Sequence, residues 1–314
     1  MQIGITLPAL PQDAPAPTNL VDTAVHEARQ AYQLGIRSVW IGQRFDYDAI
    51  GLAGLIGREV PGLAVGTSAV PIIGRHPLLL GAQAQTTQAA TAGRFRLGIA
   101  LGAKEFLHTV LGTTGDSQIK PLREFLTALD PLLRTGDVDF AGELITARTP
   151  WPSAVPGAQP PPPILVAAMG PRALRITGEL ADGSLPFLAG PKTLAEFLVP
   201  MINAAAESAG RPRPRVVALA NGLVTDAVRD TRDAAFARMS FYESIPSYRA
   251  VLDREGAERA GELAVIGSRE QVTAQIHRYA EAGATEVVLG QSSLGGTDDQ
   301  LRTWELLGEL TRQP

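Results

Sequence analysis

Short apolar runs and longer amphipathic stretches alternate along this chain from end to end. Ile3 to Leu7 has buried-strand character, and Leu20 to Leu34 spaces its apolar residues helically behind a cap at Thr18 or Asn19. Gly35 then suits a helix C-terminus. Ser38 to Gly42 predicts a second strand, Asp48 to Ile56 a short helix, and Leu63 to Ala69 a third strand. Pro77 to Ala90 predicts a helix with proline in its first turn, Phe95 to Leu101 a fourth strand, and Asp116 to Leu133 a further helix.

The pattern lapses from about 135 to 163, where Trp151-Pro152, Pro156-Gly157 and the run Pro160 to Pro163 exclude regular helix or a central strand. It then resumes. Ile164 to Ala168, Gly183 to Leu188, Arg215 to Leu223 and Thr285 to Gly290 predict strands five to eight. Helices are predicted at Pro171 to Leu180, Thr193 to Ala209, Asp226 to about Leu252, Gln271 to Ala282 and Asp298 to Leu310. Eight strands, each followed by helix, predict an α/β fold: a (β/α)8 TIM barrel, one domain over 1–314, with an insertion after the fourth helix. The Pro-rich insertion at about 135–163 is expected to cross the barrel mouth; a linker between two domains is the competing reading. A doubly wound sheet would carry a Gly-rich dinucleotide turn after its first strand, and that position reads Leu7-Pro8-Ala9-Leu10-Pro11.

Composition narrows the function classes. Zero cysteines exclude disulfides, thiolate catalysis and cysteine-held clusters, and four histidines without metal-site spacing predict no metal site. A formal charge of −4 predicts no nucleic-acid partner. No apolar run reaches the roughly 18 to 20 residues of a membrane span, and Met1 to Ile5 runs directly into a strand. The expectation is a cytoplasmic protein with a small-molecule substrate and no membrane partner.

In a barrel, the chemistry sits on loops leaving the C-terminal strand ends. After the second strand, Gln43, Arg44 and Asp46 can hold an anion, stack on a ring or handle a proton, while Asp48 reads as a helix cap. The third strand ends in the small residues Thr67, Ser68 and Ala69, which let a flat ligand approach the backbone. His76, just before a helix-opening proline, reads either as a general acid or as a cap. The fourth strand tip, through Gly102 to Lys104, is small again apart from the lysine, which can meet a phosphate or carboxylate. Ala168, Met169 and Gly170 lead into a helix start with Arg172 and Arg175 nearby, the best phosphate candidate in the chain.

Taken in order, these segments resemble the luciferase-like monooxygenase superfamily, and more closely its branch using the deazaflavin coenzyme F420. The resemblance rests on Gly4 to Pro8, Leu34 to Trp40, Gly66-Thr67-Ser68 with Arg75-His76-Pro77 and Ala92 to Ile99, and Met169-Gly170-Pro171 with Ala181-Asp182-Gly183. Val265 to Ser268 and Ala282 to Thr285 extend it towards the end of the chain.

The resemblance implies F420, or alternatively FMN, held by Gln43, Arg44, Thr67, Ser68, Ala69, Gly102, Ala168, Met169, Gly170 and Arg172. It also implies a cis peptide at Ser68–Ala69 and a homodimer. Dehydrogenases of this branch place an acidic residue and a histidine where this chain has Gln43 and Arg44, and a glutamate near Ala103. Neither Gln43 nor Ala103 is an acid or base. The resemblance therefore implies a reductase delivering hydride from reduced F420 to an activated C=C or C=N bond, with Arg44, Asp46 and His76 as candidate proton handlers. An FMN-dependent monooxygenase and a non-catalytic cofactor-binding barrel are the alternatives.

Overall fold

Parallel strands buried on both faces need near-continuous apolar sequence, and the principal strands form where this chain supplies it. The strands in chain order are β1 (Gln2–Leu7), β2 (Ser38–Ile41), β3 (Ala64–Thr67), β4 (Val70–Pro71), β5 (Phe95–Ala100) and β6 (Asp139–Ala141). There follow β7 (Thr146–Arg148), β8 (Ile164–Ala167), β9 (Gly183–Ser184), β10 (Arg215–Val224), β11 (Val265–Gly267) and β12 (Glu286–Gly290). The helices are α1 (Leu20–Leu34), α2 (Ala49–Glu59), α3 (Pro77–Ala90), α4 (Lys104–Leu111), α5 (Ile119–Thr135) and α6 (Pro171–Leu180). After them come α7 (Pro191–Thr193), α8 (Val199–Ser208), α9 (Val228–Glu243), α10 (Pro246–Glu255), α11 (Arg269–Glu281) and α12 (Thr297–Arg312). The computed structural model describes residues 1–102, 104–112, 119–291 and 293–312, with the backbone alone for 104–107.

The chain divides into two compact units, one of Met1–Trp40, Pro186–Pro200 and Arg215–Pro314, the other of Ile41–Leu185 and Met201–Pro214. In the first, β12 pairs in parallel with β1 on one side and β10 on the other, and β11 pairs with the end of β10. Its α1 starts where Asn19 accepts hydrogen bonds from the backbone of Val21 and Asp22, and stops at Gly35, whose φ of 110° is left-handed. The carboxylate of Glu286, buried at the start of β12, accepts bonds from Ser38 Oγ at 2.6 Å and Trp40 Nε1 at 2.8 Å. The expected helix from Asp226 to Leu252 is two helices, because Pro246 lacks the N–H to continue α9 and instead opens α10.

In the second unit β5 pairs in parallel with β3 and with β8, β8 pairs with β9, and β4 runs beside the end of β5. The expected irregular stretch at 135–163 contains an antiparallel hairpin, β6 with β7. Glu124 of α5 organises its turn, accepting from the N–H groups of Glu143, Leu144 and Ile145 at 3.1, 2.8 and 2.9 Å. Burial would raise that carboxyl, but the three N–H bonds outweigh it and hold it below the usual range. Ala128 and Leu132 of α5 bury Val138 and Ala147 of the insertion beneath Leu78 and Phe140. The insertion is therefore docked on α5 and α3 by both apolar and polar contacts. The helix α4 occupies a stretch to which the sequence pattern assigns no element, and Asp116, the expected start of the next helix, lies outside the described residues.

One close approach sets the geometry of β3 and β5. Thr67 is fully buried, and its hydroxyl donates to the Gly98 carbonyl at 2.8 Å while accepting from the Gly98 N–H at 2.9 Å. A Cβ on residue 98 would overlap the Thr67 carbonyl oxygen and the Leu185 side chain. Only glycine fits. Gly98→Ala is expected to lower stability by about 2 kcal/mol or more, because backbone must move to admit the methyl group. Urea unfolding checks this, and an unchanged midpoint would contradict it.

Candidate functional site

The loop after β2 closes on itself before it reaches any ligand. Gln43 Nε2 donates to the carbonyls of Arg44 and Tyr47 at 2.6 and 2.7 Å, and its Oε1 accepts from Ala49 N and Arg75 Nη2 at 3.2 and 3.1 Å. Both ends of the amide are thereby committed to holding the loop. Asp48 caps α2 through Gly51 N at 2.6 Å, as expected, and also lies 3.7 Å from Arg75. Arg44 pairs with Asp46 through two parallel bonds, Nε to Oδ1 at 2.9 Å and Nη2 to Oδ2 at 3.0 Å. Its guanidinium also lies 5.9 Å from the centre of the Tyr47 ring.

This pairing decides what the loop can do with protons. The hydrogen bonds from Arg44 hold the Asp46 carboxyl below its ordinary value, so it stays ionised through the usual carboxylate range. Burial pushes the Tyr47 hydroxyl up to about 12, so it is protonated at neutral pH. Neither group titrates near neutrality. His76 is committed elsewhere: Nδ1 accepts from Leu78 N at 3.3 Å as the cap of α3, and Nε2 reaches the Thr146 carbonyl at 3.0 Å. That histidine ties α3 to the β6–β7 hairpin.

Gln43, Arg44 and Asp46 line a cavity of about 740 Å³. Ala69 and Pro71, from the end of β3 and from β4, form a second wall, and Ala100 and Gly102 at the end of β5 a third. Gly102 has a φ of 78°, which permits the turn out of β5 without a side chain in the cavity. The Ser68–Ala69 peptide is cis, and the Ser68 N–H donates to the Ile41 carbonyl at 2.8 Å.

The remaining expected contacts sit apart from this lining. Thr67 is turned into the β3–β5 interior. Ala168 is buried, and its carbonyl accepts from Ser184 Oγ at 3.2 Å. Met169 is half-buried, Arg172 is exposed, and Gly170 opens α6 with no side chain capping it. A Cβ on Gly170 would meet nothing within 4 Å, so there is open space over that helix start. Ala103 and the Lys104 side chain lie outside the described residues. The sequence reading passed over Phe45, Pro71, Ala100 and Leu111 as lining groups. Leu111 was detectable from the helical spacing of Phe106, Val110 and Leu111.

A sequence profile of the luciferase-like monooxygenase family matches residues 1–286. An uncharacterized protein of Mycobacterium tuberculosis is 27% identical over 206 residues, which cover 62% of this chain and 61% of that protein. The chain thus matches about three fifths of that relative's length. The 5,10-methylenetetrahydromethanopterin reductase of Methanopyrus kandleri is 23% identical over 98% of this chain and 97% of its own. The solved structure of the coenzyme F420 dependent tetrahydromethanopterin reductase from that organism matches with a TM-score of 0.79 at 21% identity, covering 98% of this chain and 97% of the other. That likeness shows the fold, a (β/α)8 TIM barrel of parallel strands with flanking helices, as the alternation predicts. The oxygenase component of a flavin-dependent trigonelline monooxygenase from Acinetobacter baylyi is 25% identical over 92% of this chain and 81% of that protein.

The Arg44–Asp46 pair gives a direct test. Arg44→Gln is expected to return the Asp46 carboxyl towards its ordinary 3.8, read by carbon-detected NMR titration. A titration unchanged by the substitution would show that the two side chains do not pair in solution.

Proposed function

We propose, starting from this chain's membership of the luciferase-like monooxygenase family, that it is an F420-dependent reductase of small organic molecules. The observation that carries the reading is the cavity bounded by Ala69, Pro71, Ala100 and Gly102, whose polar loop offers no group titrating near neutral pH. Oxidising an alcohol requires a base to take its proton; Gln43 cannot act as one, and the two bonds from Arg44 weaken the Asp46 carboxylate as a base. Reducing an activated C=C or C=N bond needs no resident base.

The residues present fit a flat tricyclic cofactor. Small side chains at the ends of β3 and β5 leave a wide apolar slot, of a size usual for cofactor sites. Ser68, Ala69 and Gly102 would lie against the ring system. Met169, Gly170 and Arg172 would receive the phosphate, since the uncapped start of α6 presents backbone N–H groups and positive dipole to an anion. When bound, reduced F420 supplies the hydride for the reduction. The chain's own part is to hold the substrate against the ring face, exclude water around it and keep the Arg44–Asp46 pair neutral beside it. The proton that completes the reduction enters from solvent on the side of the exposed loop after β2, away from the ring face where water is excluded.

FMN is the alternative cofactor, favoured by the likeness to the oxygenase component from Acinetobacter baylyi. Titrating the purified chain with each cofactor separates the readings. Binding of F420, with oxidation of its reduced form by an enone or imine, is expected. Tight FMN binding with oxygen consumption and no F420 binding would replace this proposal with a monooxygenase.

Gly170→Leu tests the placement of the phosphate. The backbone there has a φ of −88° and the new side chain meets open space, so thermal stability should change little. Cofactor affinity should fall by about tenfold or more as the side chain blocks the helix start. Unchanged affinity would contradict the placement.

A further inference from the structure

A second cavity, of about 240 Å³, lies wholly within the first compact unit, and every residue lining it is described. It is bounded by the end of α10, the short helical turn Ala260–Leu263, the C-terminal half of α11 and the start of α7. At liquid density the space would hold about eight water molecules, which makes room for one small organic molecule.

Two carboxylates are fixed in its wall. Glu255 accepts from the backbone N–H groups of Lys192 and Thr193 at 3.2 and 2.8 Å, and it packs where a Cβ on Gly190 would collide with it. Glu262 accepts from Arg259 N at 2.8 Å. Arg278 brings the opposite charge to the same lining, and among the described residues it forms no ion pair. Glu255 cannot swing to meet it without giving up both N–H bonds. Opposite charges therefore share one cavity without closing on each other.

Tyr279 feels both of them. It is 3% exposed yet lines the cavity, and among the described residues its hydroxyl has no hydrogen-bond partner. Burial pushes that hydroxyl up, with Glu255 adding to the shift and Arg278 opposing it. A buried hydroxyl is costly to leave without a partner, and here the partner has to come from the cavity.

We propose that this cavity is a second ligand site, for a small zwitterion of the α-amino acid class. The ammonium would meet Glu255 and Glu262, at the end of α10, where the helix dipole favours a cation. The carboxylate would meet Arg278 and accept from the Tyr279 hydroxyl. Leu263 and Pro191 offer carbon to an apolar side chain. Water can satisfy the hydroxyl, but only a molecule of both signs offsets the carboxylates and the guanidinium together. A simple anion would face Glu255 and Glu262, and a simple cation would leave Arg278 unmatched.

Three molecules of one skeleton test this: leucine, isoamylamine, which lacks the carboxylate, and isocaproate, which lacks the ammonium. Calorimetry and ligand-observed NMR on the full chain give each affinity at low salt and neutral pH. Leucine is expected to saturate one site and to bind at least about tenfold tighter than either relative, since each lost charge removes charge-assisted bonds. Arg278→Gln, at an exposed position, should weaken leucine by about tenfold and leave isoamylamine unchanged. Glu262→Gln should weaken leucine and isoamylamine while leaving isocaproate no weaker. Tyr279→Phe should weaken leucine several-fold with the unfolding midpoint held, because the hydroxyl has no protein partner to lose. Either single-charge relative binding as tightly as leucine would overturn the proposal, as would leucine failing to saturate at millimolar concentration. Leucine affinity unchanged by Arg278→Gln would overturn it as well.

Discussion

The contact between Thr67 and Gly98 is the constraint on which the candidate site depends. A hydroxyl that both donates to and accepts from one residue's backbone draws β3 against β5 with no room for a Cβ between them. The chain leaves these strands a few residues later, at Ala69 and Pro71 on one side and Ala100 and Gly102 on the other. Fixing the strands fixes the spacing of those walls, and their small side chains leave the slot between them open. Packing of a strand interior thus becomes the shape of the cavity.

Electrostatics complete what packing begins. The loop after β2 contains groups that look reactive in isolation, yet each is spent locally: Gln43 on the loop backbone, Arg44 on Asp46, and Asp48 on the start of α2. An exposed ion pair of this kind contributes little to stability. Its consequence is chemical, because it removes both a free cation and a titratable acid from the cavity edge. The result is a cavity edge at which Arg44 is partnered and the Asp46 carboxylate is held ionised.

Much of this was legible in the residues, and the failures have physical causes. Apolar runs located the principal strands because parallel strands bury both faces, and Asn19, Gly35, Asp48 and Pro77 marked helix ends through their own capping chemistry. The β6–β7 hairpin was missed because its strands are three residues each and depend on a carboxylate from elsewhere in the chain, Glu124. The sixth strand shortened to Gly183–Ser184 because Pro186 cannot donate to a ladder. At the candidate site, strand ends pointed to Ala69 and Gly102, both of which line the cavity, since position along a barrel strand is readable from the pattern. Side-chain pairing is not. The bond from Arg44 to Asp46, and the commitment of both His76 nitrogens to backbone, depend on distances that spacing in the sequence leaves open.

A crystal structure of the chain with oxidised F420 bound is the most direct test of the site. The ring system is expected against Ser68, Ala69 and Gly102, with the phosphate at the start of α6 beside Gly170 and the Arg44–Asp46 pair intact. Ring density away from the ends of β3 and β5, or a phosphate held by residues other than those opening α6, would contradict it.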